Sequence, residues 1–153
     1  MTDLHQPTLT EEELKEVYNW VDEFELSRVK VNIARDFADA VLAAEIIHTY
    51  FPNLVELHNY YSTNSKQKRV YNWNFLQGSP YTHPDKVLSK IGAKLTKSEI
   101  EAVAICAPEA IEVVLLKIRT AIMQVKDSGT RNLTQAAPKR IQQKPKMTQG
   151  YRE

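Results

Sequence analysis

The sequence predicts an all-α fold, and three observations carry that prediction. Two segments, Leu9-Thr10-Glu11-Glu12-Glu13-Leu14 and Leu95-Thr96-Lys97-Ser98-Glu99-Ile100, share one helix-start signature. In each, a Thr cap is followed three residues later by Glu, with flanking apolar residues placed to form a hydrophobic staple. Between them, the run from Val41 to Phe51 has only Glu45, His48 and Thr49 as polar residues. A helix apolar around nearly its whole circumference belongs in a core, and about a dozen residues is too short to span a bilayer. No alternating β-branched run bounded by hairpin turns gives a strand a place.

The first helix should begin at Glu11 and end near Phe24, with Leu14, Val17, Tyr18 and Val21 forming one apolar stripe. Its three glutamates suit the positive end of the helix dipole. A non-helical connection carrying Arg28, Lys30 and Arg35 leads to the apolar helix, which reads as the central one. Ser65 to about Gln77 and Pro84 to Lys90 read as two further helices separated by Gln77-Gly78-Ser79-Pro80. The second signature starts a helix expected to reach about Ala107. Pro108 suits the first turn of a last, longest helix, whose buried side is Ile111, Val114, Leu115, Ile118, Ile122 and Val125, closed by Gly129.

With 153 residues, 42% hydrophobic and 25% charged, the chain fits a single domain over residues 1–129. The formal charge of +1 hides an asymmetry. Residues 1–129 hold 14 Lys+Arg against 18 Asp+Glu, net −4, while 130–153 hold 6 against 1, net +5. That tail contains Pro138 and Pro145 with few large apolar residues, the composition of a flexible segment. Two readings of it stay open: a solvated linker, or a cationic arm in which Lys139, Arg140, Lys144 and Lys146 raise affinity for a polyanionic surface. The first residues lack a signal peptide's cationic start and apolar run, so a cytosolic setting is expected. Cys106, the single cysteine, lies in Val103-Ala104-Ile105-Cys106-Ala107 and reads as a small buried hydrophobe.

Catalytic signatures fail on inspection. There is no glycine-rich phosphate loop or nucleophile elbow, and the four histidines lack metal-ligand spacing. His48 and His58 read as structural histidines, and no cofactor or metal is expected. The cations offer more. Arg28, Lys30 and Arg35 fall in a connection anchored to a buried helix, where binding residues concentrate. Lys66, Lys68 and Arg69 sit in or near the first turn of a helix, against its dipole, which hints at a use elsewhere. The plain alternative is a solvated charged face, with Arg35 pairing Asp36 or Asp39 for about 0–1 kcal/mol.

Trp20-Val21-Asp22, Leu26-Ser27-Arg28, Asn32, Arg35-Asp36-Phe37-Ala38-Asp39, Glu45-Ile46, Tyr50-Phe51-Pro52, His58-Asn59-Tyr60, Asn72-Trp73 and Cys106-Ala107-Pro108 together resemble the calponin-homology domain of the sperm flagellar protein 1 (CLAMP) family. The likeness covers about residues 14 to 125. It implies a non-catalytic microtubule-binding module of ciliary and flagellar axonemes, with Arg35 the first candidate for tubulin contact, then Arg28, Lys30 and Arg69. It departs at Asp39-Ala40, where such domains usually carry Asp-Gly, a change expected to be tolerated easily at a helix start. It departs also at Val31, which replaces a cation, so that Lys66 and Lys68 compensate. The coiled coil by which longer members dimerise is not among these residues, so a monomer is expected and bundling does not carry over. Competing readings are actin binding, common among calponin-homology domains in tandem, and an adaptor docking a protein through an apolar groove. Nucleic acid fits poorly with a net acidic body lacking a reading motif.

Overall fold

The computed structural model describes residues 9–28, 31–78 and 87–127. Among them are seven α-helices and no strand: α1 (Glu11–Asp22), α2 (Ile33–Asp36), α3 (Val41–Tyr50), α4 (Lys66–Gln77), α5 (Val87–Ile91), α6 (Lys97–Ala104) and α7 (Ala110–Asp127), with a 3₁₀ turn at Leu57–Asn59.

Both capping boxes form. Thr10 Oγ1 accepts from Glu13 N–H at 3.0 Å while the Glu13 carboxylate accepts from Thr10 N–H at 3.0 Å. Thr96 and Glu99 reproduce the exchange at 2.9 and 3.0 Å. Such reciprocal bonds satisfy two of the four N–H groups that each helix start leaves open. Asn32 caps α2 and Ser65 caps α4 in the same way, each through one side-chain oxygen.

Helix stops depart from expectation. α6 ends at Ala104 rather than near Ala107, because Cys106 turns left-handed at φ 59°. Cys106 N–H then bonds Val103 O at 3.0 Å and Ala107 N–H bonds Ala102 O at 2.9 Å. That pair of bonds is the Schellman stop, here with cysteine in the position glycine usually takes. Cys106 is accordingly half-buried and not the core hydrophobe expected from its neighbours. The same two bonds close α5 at Gly92, φ 88°. The last helix starts at Ala110, two residues after the proline, since Glu109 is also left-handed at φ 60°. Ala110 N–H closes onto Ala107 O at 3.2 Å, with Pro108 and Glu109 as the turn's inner residues, the pairing a type II turn favours. Gly129 and the segment 79–86 lie outside the described residues.

The apolar helix α3 is buried along Leu42, Ala43, Ala44, Ile46 and Ile47, as its sequence requires. Yet the hub is α7, which packs against α1, α2, α3, α5 and α6. An 18-residue helix is about 27 Å long, enough to reach every layer of a small domain, whereas α3 is ten residues. Two indoles tie buried layers together: Trp73 Nε1 donates to Ala38 O at 2.9 Å, and Trp20 Nε1 to Tyr50 Oη at 3.0 Å. Ala40 precedes α3 at φ 70°, so alanine there is not a free exchange for glycine: left-handed backbone costs a residue with a Cβ about 1 kcal/mol or more. His58 is exposed and sits 3.6 Å from Glu56, so it is not a core histidine.

Candidate functional site

Arg28, Arg35 and Arg69 line one open cleft of about 320 Å³, together with Asp36, Asp39, Ser62, Thr63 and Asn64. The turn α2 sets one wall. Asn32 Oδ1 accepts from Arg35 N–H at 3.0 Å, and Asp36 Oδ2 reaches back to Val31 N–H at 2.8 Å and Asn32 N–H at 3.0 Å. The segment expected to be irregular thus holds one helical turn, which presents Arg35 at the surface.

Asp39 forms the floor. It is buried, and its carboxylate accepts from Val41 N–H at 3.2 Å, Thr63 N–H at 3.1 Å and the Arg28 guanidinium at 3.3 Å. Arg28 also donates to Asp36 O, and to Ser62 Oγ at 2.7 Å. Its side chain is 27% exposed against 6% for Asp39. Arg69 is engaged likewise, Nε donating to Thr63 O at 3.1 Å and Nη1 to Ala104 O at 2.8 Å, with Cys106 Sγ 3.8 Å away. A cation on the last carbonyl of α6 is well placed against that helix's negative end.

The sequence-predicted cations therefore divide. Arg28 and Arg69 are half-buried and hold the 61–64 loop between α2 and α6. Arg35 is exposed, and among the described residues its guanidinium forms no ion pair, because Asp39 engages Arg28 and Asp36 binds backbone amides. Lys66 and Lys68 are exposed on the first turn of α4 but do not line the cleft. Lys30 and the tail residues Lys139, Arg140, Lys144 and Lys146 lie outside the described residues. Sequence reasoning did not single out Ser62, Thr63 and Asn64 as a wall, because a loop held by distant side chains has no periodicity to betray it. No group of His, Cys, Asp and Glu among the described residues is arranged to hold a metal ion, and no described helix is long and apolar enough to cross a membrane.

Among the described residues, seven helices gathered on α7, with α3 buried and an arginine-lined cleft before it, fit a calponin-homology-like domain. Residues 17–120 match the family described as the CH-like domain in sperm protein, and the chain belongs to that family. It is similar to proteins named sperm flagellar protein 1. With that of Bos taurus it is 38% identical over 134 residues, 86% of this chain and 54% of the relative. For Xenopus laevis the figures are 44% over 112 residues, 73% and 46%, and for Homo sapiens 37% over 134 residues, 86% and 54%. The chain spans about half the length of the curated relatives it matches.

Proposed function

We propose that this domain is a non-catalytic microtubule-binding module of the cilium or flagellum, which docks Arg35 on the acidic surface of tubulin. The observation that carries the reading is the state of Arg35: an exposed guanidinium on a capped turn, beside two aspartates already engaged elsewhere. Arginine presented this way offers five N–H donors in a rigid fork to a carboxylate. The names of the relatives support a flagellar setting, and the axoneme as the place of action is part of the proposal. Lys66 and Lys68, exposed on the first turn of α4 outside the cleft, add positive charge, and Arg28 and Arg69 position the cleft rather than lead the contact.

Co-sedimentation of the chain with stabilised microtubules, and in parallel with actin filaments, at two salt concentrations tests the reading. Salt-sensitive pelleting with microtubules alone is expected. Folded Arg35→Glu should lose most of that binding, since reversal replaces an attraction by a like-charge repulsion at the interface. Unchanged pelleting of this variant removes Arg35 from the contact. Pelleting with actin favours the filament-binding alternative, and salt-insensitive binding favours an apolar docking groove.

A further inference from the structure

We propose that the cleft of Arg28, Arg35 and Arg69 is a subsite for one carboxylate of a flexible acidic peptide. The proposal rests on the microtubule reading only for where that peptide comes from. Three features carry it.

The first is leftover donors. Arg28 commits Nη2 to Asp39 and Ser62 and one Nη1 bond to Asp36 O. Arg69 commits Nε and Nη1. The Nε–H of Arg28, the Nη2 group of Arg69 and the whole Arg35 guanidinium have no protein partner among the described residues. The bonds already made fix the two recessed guanidinium planes, so little further ordering is required when an anion arrives.

The second is charge. Among the described residues that line the cleft, three arginines face two aspartates, a formal excess of one positive charge. A carboxylate cancels that excess, whereas a phosphate dianion overshoots it.

The third is depth. Arg35 stands exposed at the rim, while Arg28 and Arg69 are half-buried. A carboxylate fixed on a folded surface meets Arg35 alone. A side chain on an extended, mobile segment can enter and meet all three, and a volume of about 320 Å³ is at the small end for ligand sites, suited to a side chain.

The experiment titrates the whole ¹⁵N-labelled chain with a short polyglutamate peptide at fixed ionic strength, following the arginine Nε–H resonances. Saturable shifts at Arg28, Arg35 and Arg69 are expected. Arg35→Gln should weaken the peptide roughly fivefold or more, and Arg35→Lys should recover only part, since a point charge lacks the fork. Lys97→Gln, the same loss of charge away from the cleft, should change little. Equal weakening by Arg35→Gln and Lys97→Gln, absence of saturation, or tighter binding of inorganic phosphate than of the peptide overturns the subsite.

Pelleting with intact microtubules and with microtubules stripped of their acidic C-terminal tails identifies the source. Loss of binding on stripping makes the tails the occupant. Equal pelleting, with saturable peptide binding, keeps the subsite and assigns it another acidic segment. No pelleting with either polymer, but saturable peptide binding, removes the microtubule reading and keeps the subsite.

Discussion

Asp39 is buried, yet both carboxylate oxygens are engaged, Oδ1 by Val41 N–H and Oδ2 by Thr63 N–H and Arg28. One side chain thus starts α3, pins the 61–64 loop and offsets a half-buried guanidinium. Removing one partner of such a set leaves the others desolvated and unmatched, which costs more than the set contributes net. Asp39→Ala should therefore destabilise the domain by about 3 kcal/mol, read as a lower denaturation midpoint. Arg35→Ala, by contrast, removes a side chain with no ion pair among the described residues and should stay within about 0.5 kcal/mol of the parent. The contrast is what makes Arg35 a clean probe of binding: a variant can lose affinity there without losing the fold. Residue type alone did not separate these arginines, because the bonds that retire Arg28 and Arg69 from the surface join residues 34 and 35 positions apart.

The two capping-box starts were legible in the sequence, whereas the α6 stop and the α7 start were not, for a physical reason. A start is written in local side chains, as Thr10/Glu13 and Thr96/Glu99 demonstrate. The stops of α4, α5 and α6 each use one residue at positive φ, and where that residue is glycine it can be read, as at Gly78 (φ 94°). At Cys106 (φ 59°) and Glu109 (φ 60°) the left-handed residue carries a Cβ, so an apolar run appears to continue α6 and a proline appears to start α7. This gives a sign reversal to look for. In an ordinary helix glycine is about 1 kcal/mol worse than alanine, but at Cys106 the glycine variant should be more stable than the alanine variant by about that amount. Equal midpoints for Cys106→Gly and Cys106→Ala in urea would show that the Schellman stop carries no strain. A second element-level prediction concerns the α6–α7 clasp, where Lys117 Nζ lies 2.7 Å from the Glu99 carboxylate. Burial pushes the Glu99 carboxyl up, but the bonds from Lys117 and Thr96 and the Lys117 charge outweigh it and hold the group below its ordinary value. A folded-state pKa below the unfolded one adds stability above the unfolded value, and that stability is lost as pH falls through the folded one. Glu99→Gln keeps an acceptor for the cap but removes this term. Its deficit against the parent, about 0.5–1 kcal/mol at neutral pH, should close in acid unfolding curves as the parent's Glu99 protonates.

The whole chain combines a body of net −4 over residues 1–129 with a terminal segment of net +5, and the two parts should act on a polyanion over different distances. At physiological salt, charge–charge attraction beyond roughly 8–10 Å is screened, so the terminal cations can add only a diffuse, salt-sensitive term. Arg35, seated at close range on a capped turn, contributes a contact that salt weakens less. These contributions separate by experiment. Replacing Lys139, Arg140, Lys144 and Lys146 together by Gln in the full chain should lower microtubule affinity several-fold at low salt and by a small factor at moderate salt, because the lost term is one that ions already suppress. Arg35→Glu should lower affinity at both salts. Co-sedimentation across a salt series reads both variants, and superimposed salt curves for the parent and the four-Gln variant would mean that the tail takes no part in binding. Curves that converge as salt rises would instead make the tail a tether whose weight the ionic strength sets.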